Sequence, residues 1–381
     1  MIISKLTLKN WRNFRAIEID LSDRVFIVGA NASGKSNLLD AIRFLRDLVK
    51  PGGGLQSALT QRGGLSKVRC LSARRSPDVE IEVELSEAAN QVAWRYAIGI
   101  TQQVRGQRLP ILSFERVWKN GALIIERPDQ DDQQDELRRT QTFLQQISAN
   151  KDFRPVADFL GSVRYLHLVP QLLRSAEQYK GASTPDDPYG RNFLEMIART
   201  PEKTRRSRLK KIEAALKLAV PQMRGLTDMK DETGVPHLEV LYEHWRPNAG
   251  RQREDQFSDG TLRLIGLFWS LLDGESPLLL EEPELSLNAA IVKQLPSLFS
   301  QLLRKRSTQI FVTTHSWDLL SDKGIAAEEI VLLTPSSEGT KAQVGAQNAD
   351  IRLKLESGLS AADAALPYAT PQNLELFELS A

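Results

Sequence analysis

Apolar and polar residues alternate near the start of the chain and then give way to a continuous apolar run. The stretches 2–10 and 14–21 alternate, which is typical of strands with one buried face. Residues 24–30, "RVFIVGA", are almost all apolar and predict a strand that is buried on both faces. Residues 36–49 follow a helical period. The pattern therefore predicts a strand, a short loop and a helix in succession.

The middle of the chain changes to a different pattern. Four alternating stretches between 78 and 127 predict an antiparallel set of strands, with Asn120 and Gly121 in a hairpin turn. The glycines of 51–64 predict a flexible loop. The remaining pattern predicts, in chain order, a polar loop at 128–136 that opens a helix, a strand at 162–170, a loop at 181–190, a helical region at 191–224, a strand at 237–245, a helix at 261–273, a leucine-rich strand from 278, a long helix from 289, strands at 309–314 and 328–334, and a helix near 360.

Composition limits the possible classes of protein. With 381 residues and 41% hydrophobic content, the chain is long enough for one large α/β domain or two ordinary ones. The formal net charge of +2 gives no overall signal for nucleic acid. One cysteine, Cys70, excludes an internal disulfide and a multi-cysteine metal site. We expect no signal peptide, and the apolar stretch 264–272 is too short to span a bilayer, so we expect a cytoplasmic protein.

The loop between the first buried strand and its helix carries a phosphate-binding pattern. "GANASGKS", from Gly29 to Ser36, matches the P-loop motif without a mismatch. Its glycines let successive backbone N–H groups face a phosphate, and the helix N-terminus adds a favourable field for an anion. Lys35 is expected to reach the β- and γ-phosphates of a nucleotide, and Ser36 to bind Mg²⁺.

Three carboxylates follow the leucine-rich strand in "LLLEEPELSLN". A P-loop site needs an acid at the end of a neighbouring strand for Mg²⁺ and a second group that orients the attacking water. Glu281 fits the metal side and Glu282 the water side. Pro283 predicts an extended backbone at Glu282, since proline disfavours the α region in the residue before it. For Glu284, a role at the nucleotide and a role in a solvated loop stay open.

Two further motifs have both a structural and a functional interpretation. In "VTTHS", His315 follows an apolar strand and can bond the γ-phosphate, although a histidine satisfied within its loop is the simpler alternative. In "FSDGT", Ser258 or Asp259 can cap the following helix and Gly260 can supply the bend. A helix start of this kind can also bind an anion.

Together with the N-terminal strands, "GANASGKSNLLDAI", "QFSDGTLRL", "LLLEEPELSLN" and "VTTHS" resemble the ABC-type ATPase heads of the RecF/SMC class. The chain is most similar to short, armless AAA-family ATPases of bacterial defence operons, which resemble an OLD-like head without its nuclease domain. The resemblance implies an α/β P-loop NTPase fold: a two-lobed head with a mixed sheet around the P-loop strand, an antiparallel β subdomain and a helical lobe. Residues 1–381 would form one head, with lobe I at about 1–127 and lobe II at about 135–381.

The resemblance also implies ATP and Mg²⁺ as cofactors and assigns roles to single residues. Lys35, Glu282 and His315 would be catalytic, while Ser36, Glu281 and Gln171 would serve the metal. Gln171 is the expected Q-loop residue, with Gln56 and Gln61 as alternatives, and Ser286 to Asn288 would form the D-loop. The residues implied to contact the nucleotide are Gly29, Asn31, Ser33, Gly34, Lys35, Ser36, Asn37, Arg12, Asn13, Ser258, Asp259 and Gly260.

The function implied is an ATP-driven switch. ATP would join two copies head to tail, as a homodimer or higher homo-oligomer, and the ATPase would control an operon-encoded nuclease or toxin in antiviral defence. The alternative is a RecF-like repair ATPase that acts directly on DNA. A transporter ATPase would place its signature much nearer the P-loop, and a hexameric AAA+ motor gives no reason for "FSDGT". No membrane partner is expected.

Two charged stretches have simpler explanations. The basic run at 202–211 spreads over several helix faces, which favours a solvated helix over contact with a DNA or RNA backbone, although both stay open. In the stretch 237–245, the alternating pattern puts His237, Glu239 and Glu243 on the solvent-exposed face of a strand, with His244 on the other face. We therefore do not expect a metal site at these four residues.

Overall fold

The computed structural model describes residues 1–73, 78–87, 91–104, 108–174, 187, 189–243, 250–274, 276–306 and 308–370. The chain divides into two compact units. Unit 1 comprises 1–164, 276–279 and the chain from 296 onward, and unit 2 comprises 165–275 and 280–295. His244 and most of the loop predicted at 181–190 lie outside the described residues.

The described residues contain fifteen strands and fourteen α-helices. The strands are β1 (Ile2–Trp11), β2 (Phe14–Asp20), β3 (Arg24–Gly29), β4 (Val79–Ser86), β5 (Val92–Gln102), β6 (Pro110–Lys119), β7 (Ala122–Arg127), β8 (Arg164–Leu166), β9 (Met223–Lys230), β10 (Pro236–Tyr242), β11 (Arg251–Arg253), β12 (Leu278–Glu281), β13 (Ile310–Thr314), β14 (Ile330–Thr334) and β15 (Lys341–Val344). The helices are α1 (Lys35–Val49), α2 (Leu55–Thr60), α3 (Leu65–Val68), α4 (Gln130–Gln134), α5 (Arg154–Ser162), α6 (Pro170–Arg174), α7 (Phe193–Arg199), α8 (Glu202–Ala219), α9 (Asp259–Leu272), α10 (Ala289–Val292), α11 (Leu295–Leu303), α12 (Trp317–Leu320), α13 (Ala349–Glu356) and α14 (Ala361–Ala369).

Unit 1 is built around β3, the strand that precedes the P-loop. Every residue of β3 is buried, as its continuous apolar run predicts. It pairs in parallel with β13 on one side and β14 on the other, in the sheet order β15-β14-β3-β13-β12-β8. Thr314 is opposite Val28, and Leu333 is opposite Gly29. Because the three parallel strands are in this register, their carboxyl ends lie at one edge of the sheet.

The second sheet of unit 1 is antiparallel, in the order β2-β1-β4-β5-β6-β7. The alternation predicted at 78–85 appears in β4, in which every second residue is buried. Asn120 and Gly121 join β6 to β7 with φ of 47° and 81°, as the two-residue hairpin turn requires. The expected antiparallel set between 78 and 127 is therefore present.

Unit 2 has a core of its own. It combines helices α6 to α9 with a three-stranded sheet in the order β11-β10-β9. Trp269 of α9 is fully buried and meets Phe193 edge to face, with 6.4 Å between ring centroids. Ten of the fourteen residues of α9 are buried, so its position is determined by packing along most of its length.

Several predicted elements differ from the observed ones. The stretch 51–64, expected as a flexible loop, contains α2, which buries Leu55, Ala58 and Leu59. The helical region expected at 191–224 ends at Ala219, and β9 begins at Met223 because it pairs with β10. The strand expected at 162–170 is only β8, and the long helix from 289 is divided into α10 and α11.

Across the described ranges, no helix has the length and apolar character that a bilayer crossing needs.

Candidate functional site

The P-loop joins β3 to α1 in unit 1, and its glycines stand where a side chain would clash. A Cβ on Gly29 would lie 2.4 Å from Ser33 Oγ and 2.8 Å from the Leu333 carbonyl. Gly34 has φ +100°, and a Cβ there would lie 2.1 Å from Asn13 Nδ2. Gly34 is also the N-cap of α1, and as a glycine it brings no side chain that could cap the helix. A helix start of this kind can bind an anion through its backbone N–H groups.

Lys35 and Ser36 begin this helix. Lys35 is buried, and its Nζ donates to the carbonyls of Gly29 at 2.9 Å and Ala30 at 3.2 Å. Its ammonium group is thus held inside the curve of the loop. Ser36 and Asn31 are exposed, whereas Ser33 is fully buried and its hydroxyl has no hydrogen-bond partner in the part of the chain that the structure describes.

Side chains from distant parts of the sequence brace the loop. Asn13 Nδ2 donates to the Ser33 carbonyl at 2.9 Å, and Thr340 Oγ1 donates to the same carbonyl at 2.9 Å. Asn13 Oδ1 accepts from Asn37 Nδ2 at 2.8 Å, and Trp11 Nε1 donates to the Asn37 carbonyl at 2.8 Å. The loop conformation is thus supported by neutral hydrogen bonds on both sides of Gly34.

Arg12 and Asn13 are among the residues that the resemblance implies to contact the nucleotide, on its adenine side. The structure places Asn13 in the brace under the P-loop. Arg12 has φ +54°, and its guanidinium forms an ion pair with Asp40 at 3.0 Å. Asp40 also pairs with Arg62 at 2.8 Å. Both residues thus have defined partners beside α1, and their contact with adenine stays a prediction.

His315 follows β13 directly and is exposed, in contrast to the buried Thr313 and Thr314. Ser316 N donates to Thr314 Oγ1 at 2.9 Å, and Ser316 caps α12. Because β13 and β3 are parallel and in register, the loop that carries His315 leaves the same sheet edge as the P-loop. His315 therefore lies after a strand that ends beside the P-loop strand, and its contact with a γ-phosphate stays a prediction.

In unit 2, Ser258 is the N-cap of α9, as the sequence predicts. Its Oγ accepts from Thr261 N at 3.2 Å and lies 2.8 Å from Thr261 Oγ1. A Cβ on Gly260 would lie 2.7 Å from the Ser286 carbonyl, so only glycine allows this approach. The turn at 258–260 therefore packs against the predicted D-loop within unit 2.

Gln171 was predicted to serve the metal. The structure places it on α6, with its Nε2 donating to Asp259 Oδ2 at 3.0 Å. Arg174, at the end of the same helix, contacts Asp259 Oδ1 at 2.5 Å and the Phe257 carbonyl at 2.5 Å. The alternative residues have other partners: Gln56 donates to the carbonyls of Pro110 and Thr140, and Gln61 to Ser57 Oγ.

The carboxylates after β12 differ in their surroundings. Glu281 is half-buried and accepts a hydrogen bond from the Tyr165 hydroxyl. Glu282 has φ +43°, so the prediction of an extended backbone at this residue is wrong. Proline disfavours the right-handed α region in the residue before it, and here the chain takes the left-handed region instead. The strand ends at Glu281 by this change of direction.

Glu284 is buried, which argues against the solvated-loop interpretation of this residue. Arg263, one turn into α9, is also buried, and its Nε has no hydrogen-bond partner among the described residues. Burial lowers the pKa of Arg263, although attraction to Glu284, Asp259 and Glu282 opposes this effect. Acidic and basic groups therefore lie close together around the start of α9.

The basic run at 202–211 and the strand that carries His237 both differ from their predicted solvent-exposed arrangement. On α8, Arg205 pairs with Asp228 at 2.9 Å and Arg208 with Asp273 at 2.8 Å, so these two arginines are not on a solvated face. Arg206 remains largely exposed. His237 is buried and contacts Glu254 at 2.7 Å, and no cluster of His, Cys, Asp or Glu in the described residues could hold a metal ion.

Three contacts at these motifs were not predicted: Tyr165 on Glu281, Thr340 on the P-loop, and Arg174 on Asp259. Tyr165 lies in an alternating stretch and Thr340 before a short strand, where no motif distinguishes them. For Arg174 the sequence offers one indication: it lies three residues after Gln171, so both side chains are expected on the same face of a helix. Each partner is brought to its motif by folding and not by sequence spacing.

A family model described as "AAA domain, putative AbiEii toxin, Type IV TA system" matches residues 24–322. The match covers more than half of the chain. It begins at β3 and continues past His315, so it includes the P-loop, the turn at 258–260 and the acidic segment.

Similar proteins agree with this match. The DNA replication and repair protein RecF of Mesorhizobium japonicum is 40% identical over 86 residues, which is 21% of this chain and 22% of that protein. RecF of Rickettsia felis is 41% identical over 59 residues, 15% of each chain. The matches thus span about a fifth or less of these curated relatives. An SMC head solved bound to the C-winged helix domain of ScpA has a TM-score of 0.55 at 16% identity, covering 90% of this chain and 97% of that one.

Proposed function

Since the chain belongs to this family of AAA domains and has the fold of an ABC-type P-loop ATPase head, we propose that it is a switch driven by ATP binding and hydrolysis. The observation that carries the proposal is the P-loop itself. The loop turns into the N-terminus of α1 at Gly34, and the Lys35 ammonium lies inside the loop. These features suit a triphosphate, because its charge needs both backbone donors and a cation.

The donor set fits Mg²⁺ as well. Ser36 is exposed at the start of α1 and carries a hydroxyl. Mg²⁺ usually keeps several waters and takes its other ligands from phosphates and one or two protein groups. When bound, it would neutralise charge on the phosphates. Ser36 and Glu281 are the residues that we propose for it, and Gln171 is a weaker candidate because its amide contacts Asp259.

The remaining residues have proposed roles in hydrolysis. Lys35 would hold the β- and γ-phosphates, and Glu282 would accept a hydrogen bond from the attacking water and orient it. His315 would donate to the γ-phosphate from the loop that starts at the P-loop edge of the sheet. Tyr165 would hold the carboxylate of Glu281 in one orientation through its hydroxyl.

Dimerisation is the proposed response to ATP. The turn at 258–260 would bind the γ-phosphate held by the P-loop of a second copy, so that each bound ATP joins two chains. An anion at a helix N-terminus gains about 1–2 kcal/mol in partly buried surroundings. Two symmetric sites would then shift the dimer equilibrium by on the order of a hundredfold or more. ADP lacks the bridging phosphate and would not have this effect.

The proposed output is control of a protein effector, a nuclease or toxin, in antiviral defence. The family description names a putative toxin, and the SMC head was solved bound to the C-winged helix domain of ScpA. Direct action on DNA is the second candidate, favoured by the local identity to RecF. Recovery of a neighbouring gene product with the purified protein would favour an effector, whereas salt-sensitive DNA binding by the pure chain would favour the second candidate.

The test uses Glu282→Gln, which keeps the shape of the side chain and removes the carboxylate. Sedimentation with Mg-ATP, Mg-ADP and no nucleotide should show a dimer with ATP only. Adding Ser258→Arg should prevent the dimer while each chain still binds ATP. Ser357→Arg, at an exposed helix end in unit 1, is the matched control and should dimerise normally. An identical oligomeric state under all three conditions would contradict the proposal.

A further inference from the structure

Asp259 puts a carboxylate at the first position of α9, where the proposed function requires an anion to bind. A negative charge at a helix N-terminus stabilises the helix itself. The same charge repels an incoming phosphate and competes with it for the same backbone N–H groups. A turn with an uncompensated aspartate would therefore be a poor site for the γ-phosphate.

The carboxylate of Asp259 is held on both oxygens by α6. Arg174 contacts Oδ1 at 2.5 Å, and Gln171 Nε2 donates to Oδ2 at 3.0 Å. The guanidinium supplies one positive charge and the amide supplies a donor. Each oxygen of the Asp259 carboxylate therefore has a partner on α6, and these two contacts compete with any bond from the side chain to the N–H groups of its own helix.

Arg174 also fixes the other side of the turn. The same guanidinium nitrogen that contacts Asp259 donates to the Phe257 carbonyl at 2.5 Å. It therefore bridges the residues on either side of Ser258. Gly260, next along the turn, packs against the Ser286 carbonyl. These contacts leave Ser258 exposed between two fixed neighbours.

A second arginine adds positive charge near this carboxylate. Arg263 is buried and is attracted to Asp259, as well as to Glu282 and Glu284. It is thus shared among three carboxylates, whereas Arg174 forms a direct ion pair with Asp259. Arg174 is therefore the arginine whose removal would most weaken the compensation of the Asp259 charge.

We propose that Arg174 and Gln171 are positioning residues that neutralise and orient Asp259, so that the turn at 258–260 can accept the terminal phosphate of ATP. This inference rests on the proposed function and deepens it. It also explains how an aspartate can stand between Ser258 and Gly260 in a turn that binds an anion, because the charge that the aspartate adds is cancelled by α6.

The test is a double-mutant cycle in the Glu282→Gln parent, with sedimentation at increasing Mg-ATP as the measurement. Arg174→Gln should raise the ATP concentration for half-maximal dimerisation about tenfold, the scale of one charge at a helix terminus. In the Asp259→Asn background, the same substitution should cost less than about twofold, because no carboxylate remains to be neutralised. Arg174→Lys, which keeps the charge, should stay within about threefold of the parent.

Two measurements separate the loss of charge compensation at Asp259 from a loss of folding or of ATP binding by the monomer. Binding of a fluorescent ATP analogue to the P-loop of the monomer should be the same with and without Arg174→Gln, and thermal melting shows which variants remain folded. Arg199→Gln removes an arginine that pairs with Glu195 on α7 in the same unit, and it should leave ATP-dependent dimerisation unchanged.

The outcomes separate a failure of this inference from a failure of the proposed function. Equal penalties for Arg174→Gln in both backgrounds would mean that Arg174 acts only through the Phe257 carbonyl, and this would overturn the inference alone. If Arg174→Gln does not fold, a loss of dimerisation in the folded Arg174→Lys protein would overturn it equally. A parent that stays monomeric at saturating Mg-ATP would overturn both the inference and the proposed function.

Discussion

The P-loop and the turn at 258–260 are both helix starts, but they are stabilised in different ways. Neutral hydrogen bonds from Asn13, Asn37 and Thr340 brace the P-loop, and the N-cap of α1 is a glycine. The second turn has a serine cap, and its aspartate is held by an arginine. The P-loop thus combines a neutrally braced backbone with one ammonium group of its own, from Lys35. The turn at 258–260 depends on charges that other elements must balance.

The strongest test of this contrast is Lys35→Ala. The P-loop has one ammonium group within its curve, so its removal should weaken ATP binding by on the order of a hundredfold or more while the fold is retained. Titration with a fluorescent ATP analogue measures the affinity. Lys50→Ala, at the C-cap of the same helix, is the control and should bind normally. Wild-type affinity in the Lys35→Ala protein would contradict the assignment.

The charge-dependent character of unit 2 is tested on α8. Arg208 pairs with Asp273 and lies over the Trp269 ring at 5.2 Å, so Arg208→Glu should reduce the free energy of unfolding by about 2–4 kcal/mol. Urea unfolding measures the change.

The matched control is Arg206→Glu on the same helix. Arg206 is largely exposed and pairs only with Glu202 in the described part of the chain, so the cost should stay below about 0.5 kcal/mol. A loss below about 0.5 kcal/mol for both substitutions would restore the interpretation of this run as one solvated surface.

The neutral brace of the P-loop is tested with Thr340→Val. The change removes the hydroxyl that donates to the Ser33 carbonyl and nearly conserves the volume. We expect a loss of about 1 kcal/mol in stability and a roughly threefold weaker affinity for ATP. Thr370→Val removes a comparable hydroxyl-to-carbonyl bond at the end of α14 and should change only stability. Unchanged ATP affinity in Thr340→Val would show that the brace does not shape the loop.

The smallest expected effect is a pH dependence in unit 2. Burial lowers the pKa of His237, but the bond and attraction to Glu254 and the bond to Asp231 outweigh both burial and Arg253, and the pKa is raised above its ordinary value of 6.5. The histidine therefore stabilises the fold fully below about pH 6.5, and this contribution is lost as pH rises through the raised pKa.

Thermal melting of the wild type and His237→Asn between pH 5.5 and 8.5 checks this prediction. The gap between the two melting temperatures should be largest at the acid end and should shrink as pH rises. In a Glu254→Gln background the dependence should be much weaker. A gap that is constant across the range would contradict the prediction.

The sequence predicted the P-loop region closely because its information is local. The strand expected at 24–30 is β3, and the helix expected at 36–49 is α1. Burial on both faces produces the continuous apolar run of β3, and burial of one face produces the helical period of α1. The caps and glycines around Ser258 are local as well. The P-loop, the serine cap and the position of His315 after a buried strand could therefore be read from the sequence.

What could not be predicted depends on partners that are distant in sequence. The segment Met223–Lys230 has no regular alternation of its own and becomes β9 through pairing with β10. The left-handed backbone of Glu282 reflects the packing after β12 more than the preference imposed by Pro283. Arg205 and Arg208 looked solvated because their acceptors, Asp228 and Asp273, lie well beyond the helix in the sequence.

The position of β3 between β13 and β14 has a consequence for folding during synthesis on the ribosome. Both strands that flank it are made late, at Ile310–Thr314 and Ile330–Thr334. At about 5–20 residues per second, a ribosome needs roughly 15–60 s to reach them after β3 has emerged. The hairpins between Val79 and Arg127 pair with near neighbours and can form during this interval. Until then both edges of β3 stay unpaired, so we expect this strand to be exposed to aggregation, or to binding by a chaperone, during synthesis.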